Sequence, residues 1–162
     1  MIYWIVVANV ATVEYIKKMP RIECLRFAAH VTKKYLEVNP HLNITLDISH
    51  WVAVAESYLE DQVEAVSLAI SRTRHIHSRV GYPEGPQIPD PRLPEWEEAV
   101  SRHLSWWNNV VEQYNGNEAL TITTEFGPFP YLTHNYSQWD INVYMKEFLM
   151  KNLHSSSILF PQ

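Results

Sequence analysis

Apolar positions along the chain change period several times, and turn residues sit at nearly every change. The opening run Ile2-Tyr-Trp-Ile-Val-Val-Ala-Asn-Val10 is β-branched and aromatic, which predicts a buried strand. It falls well short of the roughly 20 apolar residues a spanning helix needs, and no basic residue precedes it as in a secretory signal. Residues 27–38 fit a helix that stops at Asn39-Pro40, because proline disfavours helical backbone at the residue before it. Residues 44–48 read as a short strand. Residues 53–71 read as one helix with an apolar stripe at Ala55, Tyr58, Leu59, Val63, Val66 and Ile70. A second short strand covers 73–78. The Gly- and Pro-rich stretch 81–94 is long for a connection in a compact domain, which points to a functional loop. A helix over 95–114 should stop in a left-handed cap at Asn115-Gly116-Asn117. Residues 120–125 form the next strand, 126–136 a loop, and 139–153 the last helix.

Strands alternating with helices imply parallel β/α units, since a parallel neighbour requires a crossover. The fold class is therefore α/β. Three segments follow: a divergent N-terminal segment with a strand (1–26), the β/α units (27–153), and a frayed tail (154–162). With 162 residues, 46% of them hydrophobic, the chain can build one core of ordinary domain size. The net charge is −5, and the 13 Lys and Arg are dispersed, so no basic face suits nucleic acid or an anionic membrane. The single cysteine, Cys24, allows no internal disulfide, which fits a reducing, cytoplasmic setting.

Asp47, His77 and Glu125 each fall at or near the C-terminal end of a different expected strand. That edge carries the active site in parallel β/α folds, because the loops leaving it converge. Two carboxylates and an imidazole suit one divalent cation (Mn²⁺, Mg²⁺, Co²⁺ or Zn²⁺) better than a thiolate site would. His75 shares the strand face of His77, and spacing does not separate them; His77 is favoured as nearer the strand end. His50 either orients a ligand, contacts substrate, or packs against Trp51 in a loop. Arg79 either holds an anionic or hydroxylated substrate or forms a surface ion pair. Trp96, Trp106 and Trp107 lie on an amphipathic helix and belong to a core or an interface rather than to a cofactor.

Leu46-Asp-Ile-Ser-His-Trp51, His75-Ile-His-Ser-Arg-Val-Gly81 with Glu84-Gly-Pro-Gln-Ile-Pro-Asp-Pro91, and Thr124-Glu-Phe-Gly-Pro128 together resemble the sugar phosphate isomerase/epimerase family. Phe27-Ala-Ala-His-Val-Thr-Lys33 resembles the helix before that family's metal-binding Asp. The resemblance spans about 27–153 and implies the later part of a xylose-isomerase-like TIM barrel, here partial or truncated. It implies one divalent metal held by Asp47, His77 and Glu125, with His50 beside the Asp. Glu125 would also carry the proton moved between carbons of a small sugar or sugar phosphate. The family's first metal-binding Glu has no counterpart, and Glu23 is out of register with that motif. A complete barrel takes about 250 residues, so a partial one should expose apolar edges and form a homo-oligomer. The alternatives are a non-catalytic sugar-binding or assembly module on the same truncated barrel and, less well matched in charge, a metal-dependent hydrolase or endonuclease.

Overall fold

Short runs rich in β-branched residues build β1 (Ile2–Val6), β2 (Ile44–Leu46), β3 (Thr73–His77) and β4 (Leu120–Thr124). The computed structural model describes residues 2–6 by their backbone, and 28–117, 119–132 and 137–153 in full. Glu23, Cys24 and the tail 154–162 lie outside the described residues. The strands form one four-stranded parallel sheet in the order β1-β4-β3-β2. The helices are α1 (Ala29–Val38), α2 (Ile48–Ala55), α3 (Val63–Ser71), α4 (Glu97–Gln113) and α5 (Gln138–Asn152). The α/β class and the parallel arrangement follow the pattern read from the chain.

Register gives the sheet two unlike faces. Leu46, Ile76 and Ile122 lie in one row across β2, β3 and β4, while Thr45, His75 and Thr121 lie in the adjacent row on the opposite face, followed by His77 beside Thr123. Leu46, Ile76 and Ile122 join a buried cluster with Leu36, Ala69, Trp107, Val110, Ile141 and Leu149 from the helices. α3 packs on α1, α4 and β2, and α5 lies along β1 and β4. On α4, Trp107 is fully buried and Trp106 packs partly buried against the core, whereas Trp96 does so from a short 3₁₀ turn, Pro94–Trp96, that precedes the helix. Among the described residues, no helix is long and apolar enough to cross a membrane.

Three expectations need correction. The single helix over 53–71 is two: α2 begins earlier, at Ile48, and ends at Glu56 in a left-handed conformation (φ 50°). Leu59, also at positive φ (63°), is buried in the core before α3 begins at Val63. The apolar stripe through Tyr58 and Leu59 is real burial. A Glu rather than a Gly makes the reversal, so the sequence carries no punctuation there. His50 and Trp51 accordingly stand on α2 and not in a loop, and Ile48 belongs to that helix rather than to the strand. The left-handed cap at 115–117 does not form. Neither Asn115, Gly116 nor Asn117 has positive φ; Tyr114 ends α4 in extended backbone, and its ring lies over Gly116 where a Cβ would stand.

The glycine that matters for the site is Gly81. A Cβ there would come within 2.7 Å of the Ser49 carbonyl oxygen and 2.9 Å of its Cα. The chain leaving β3 thus packs backbone to backbone on the first turn of α2. Gly81→Ala should force the two segments apart and destabilise the protein by about 1–3 kcal/mol. Urea denaturation monitored by tryptophan fluorescence measures it, and an unchanged midpoint would contradict the packing.

Candidate metal centre

β2 ends at Leu46 and α2 begins at Ile48, so Asp47 is fixed at the junction in the N-cap position. Its carboxylate makes no capping hydrogen bond. Oδ1 instead accepts from Ser49 Oγ, and Oδ2 accepts from Arg79 Nη2 at 2.7 Å. Arg79 Nε donates to Ser49 Oγ at 3.2 Å, and Arg79 Nη2 meets His50 Nε2. A guanidinium only donates, so His50 Nε2 faces it as an acceptor, and the same nitrogen lies 3.4 Å from Asp47 Oδ2. Asp47, Ser49 and Arg79 are buried. Arg79 is therefore engaged with Asp47, Ser49 and His50 in a buried cluster, and does not form a surface ion pair.

Strand alternation sends His75 and His77 to one face, as expected, but they meet different surroundings. His77 Nδ1 lies 2.6 Å from Glu125 Oε2 and 3.9 Å from Asp47 Oδ2. His75, one step deeper, has Nδ1 against Thr121 Oγ1 and Nε2 against Thr123 Oγ1 at 3.1 Å. Its ring stands at 90° to that of His77, with centroids 5.1 Å apart. Burial, reinforced by the neighbouring His77, pushes the His75 pKa down to about 4, so it is a neutral support beneath His77. Glu125 follows the last residue of β4 and keeps a side chain 39% exposed, against 4% for Asp47. Of these groups, Glu125 has the most exposed side chain, although its Oε2 atom is buried against His77.

Asp47, His77 and Glu125 each present a ligand atom within 4.8 Å of the others. Bonds of about 2.0–2.2 Å to one ion place neighbouring ligands about 3–3.6 Å apart, so a shared cation would require His77 Nδ1 and Glu125 Oε2, 2.6 Å apart here, to separate. The donor set of two carboxylates and one imidazole fits a hard or borderline divalent ion. Arg79 already occupies part of Asp47 Oδ2, but a carboxylate oxygen can accept more than one partner. The guanidinium thereby places a positive charge next to the ion position.

Sequence reasoning missed Ser49 and His103. Ser49 follows Asp47 by two residues and links its carboxylate to Arg79; a hydroxyl in the first turn of a helix gave no reason to single it out. His103 is fully buried on α4, with Nδ1 donating to the Ala99 carbonyl at 2.8 Å and Nε2 accepting from the Gly81 N–H at 3.2 Å. It anchors the chain just beyond Arg79 and must be neutral to do so. Burial lowers its pKa to about 4, against the opposing pull of the Ala99 bond and the Asp47 charge. The i, i+4 spacing of Ala99 and His103 hints at the first contact, but nothing local reveals the second.

Because the folded pKa of His103 lies below the unfolded value of about 6.5, its neutral form favours the native state above that pH. As pH falls from about 6.5 towards 4, only the unfolded chain takes up the proton. Stability should then drop by on the order of 3 kcal/mol from this residue alone. Urea denaturation at successive pH values measures the slope, and His103→Gln should make it shallower, leaving the part that His75 contributes. An unaltered slope in that variant would rule the assignment out. The chain matches no family model, no curated protein and no solved structure in the comparisons made with each.

Proposed function

We propose that this protein is a metal-dependent isomerase or epimerase of a small sugar or sugar phosphate, built on part of a xylose-isomerase-like barrel. The observation that carries the reading is the convergence of Asp47, His77 and Glu125 ligand atoms within 4.8 Å at the C-terminal edge of parallel strands. The strand order supports the barrel. β2, β3 and β4 are neighbours in sequence order, and β1 lies on the far side of β4, where a barrel's first strand would meet its last.

Asp47, His77 and Glu125 would hold the cation, with substrate or water oxygens completing its shell in place of the family's first Glu. When bound, the cation supplies Lewis-acid polarisation of a substrate carbonyl. The remaining chemistry belongs to the chain. Glu125, the most exposed carboxylate of the cluster, takes the carbon-bound proton and returns it to the neighbouring carbon or the opposite face. His77 Nδ1, beside Glu125 Oε2, fixes where that carboxylate points. Arg79 and Ser49 hold Asp47, and the half-buried His50 borders the substrate while bracing Arg79. The sheet ends at β1 and β2, each with one strand neighbour among the described residues. Such edges favour association, and we assign the active form to a homo-oligomer.

Calorimetric titration with Mn²⁺ should show one site per chain, and Asp47→Asn or Glu125→Gln should remove it. In ²H₂O with Mn²⁺ present, a panel of sugars and sugar phosphates should acquire carbon-bound deuterium, and Glu125→Gln should prevent this. Absence of both binding and exchange would refute the enzyme reading; binding without exchange would favour a sugar-binding module. Sedimentation velocity should give a species larger than the monomer, and a monodisperse monomer would refute the oligomer.

A further inference from the structure

The peptide segment directly after Glu125 runs through Phe126 and Gly127 without regular secondary structure, and its backbone groups find partners in side-chain amides. The Phe126 N–H donates to Asn142 Oδ1 at 2.9 Å, and Asn142 Nδ2 donates back to the Phe126 carbonyl at 3.0 Å. Gln138 Nε2 donates to the same carbonyl at 2.9 Å. One residue on, the Gly127 N–H donates to Gln87 Oε1 at 2.8 Å, and Gln87 Nε2 donates to the Gly127 carbonyl at 3.2 Å. Gln87 and Asn142 thus each bond the N–H and the carbonyl of a single residue, as a neighbouring strand does in an antiparallel pair. Both are buried. Asn142 comes from α5, while Gln87 comes from the Pro-rich loop that leaves β3.

We propose that Gln87 and Asn142 are positioning residues that fix the Glu125 carboxylate against His77 by clamping the two residues that follow it, Phe126 and Gly127, from different elements. Neither touches the reacting groups. Two successive residues held at both their donor and their acceptor leave the backbone beside Glu125 little torsional freedom, so the carboxylate is aimed before any ligand arrives. The loop carrying Gln87 also continues from Arg79 and Gly81, so a single loop reaches both carboxylates of the cluster. It supports Asp47 through Arg79, and Glu125 through Gln87. The metal-affinity part of the proposal rests on the reading of Asp47, His77 and Glu125 as cation ligands, whereas the aiming of Glu125 does not.

The test uses the full chain in two states. Without metal, ¹⁵N NMR of the His77 ring reports the Nδ1 contact with Glu125, with Glu125→Gln marking its loss. With Mn²⁺ alone as the probe, calorimetry reports affinity. Gln87→Met keeps side-chain length and removes both amide bonds; it should move the His77 Nδ1 resonance towards that of Glu125→Gln and weaken Mn²⁺ by about 10–100-fold. Asn142→Leu should act likewise if it folds. Leu36→Ala, a core truncation on α1, serves as the stability control and should alter neither readout. A Gln87→Met protein with wild-type His77 resonance and wild-type Mn²⁺ affinity overturns the proposal, as does an equal effect in Leu36→Ala. If the wild type binds no Mn²⁺ while Gln87→Met still shifts His77, the clamp stands and the cation reading falls.

Discussion

The buried pairing of Asp47 with Arg79 holds together the parts on which everything else in this protein depends. It joins the start of α2 to the chain leaving β3, with Ser49 as a bridge between the two charges. Two charges removed from water are stabilised only when geometry and extra hydrogen bonds compensate the desolvation. Here Ser49, His50 and the close packing of Gly81 on Ser49 supply that geometry. The same contacts that let the pair be buried also set the direction of the Asp47 carboxylate. Structure and candidate chemistry at this edge of the sheet thus share one set of hydrogen bonds.

A further consequence is a division of roles between buried and exposed groups. His75 and His103 are both held neutral by burial, one supporting His77 from below and the other anchoring Gly81. Glu125 is the outward member, and its backbone is secured by amides rather than by charges. Neutral clamps around these carboxylates avoid adding further charge beside them, Arg79 being the exception.

Much of this was legible in the chain because it depends on short-range rules. Period-2 alternation placed His75 and His77 on one face, and strand ends placed Asp47, His77 and Glu125 at one edge. The stop at Asn39-Pro40 follows from proline sterics, and the helix ends where expected, with the Asn39 side chain and N–H both bonding the Tyr35 carbonyl. The break between α2 and α3 was not legible, because Glu56 and Leu59 take positive φ under tertiary constraint, without a glycine. The reverse holds for Gly116, whose turn-like neighbours suggested a cap that the Tyr114 ring displaces. Gln87, Ser49 and His103 were hard to single out for a common reason: each has a decisive partner, the Gly127 backbone, Arg79 and the Gly81 N–H respectively, that only the fold brings near.

The position of β1 bears on how the molecule assembles. Its register partners, Leu120 to Thr124, lie more than a hundred residues away along the chain, whereas β2, β3 and their helices can pair as they are made. Closing so long a span is entropically costly and kinetically slow. During synthesis the apolar stretch Ile2–Val6 therefore cannot pair until β4 has emerged, which makes docking of this strand a late event among the contacts of the sheet.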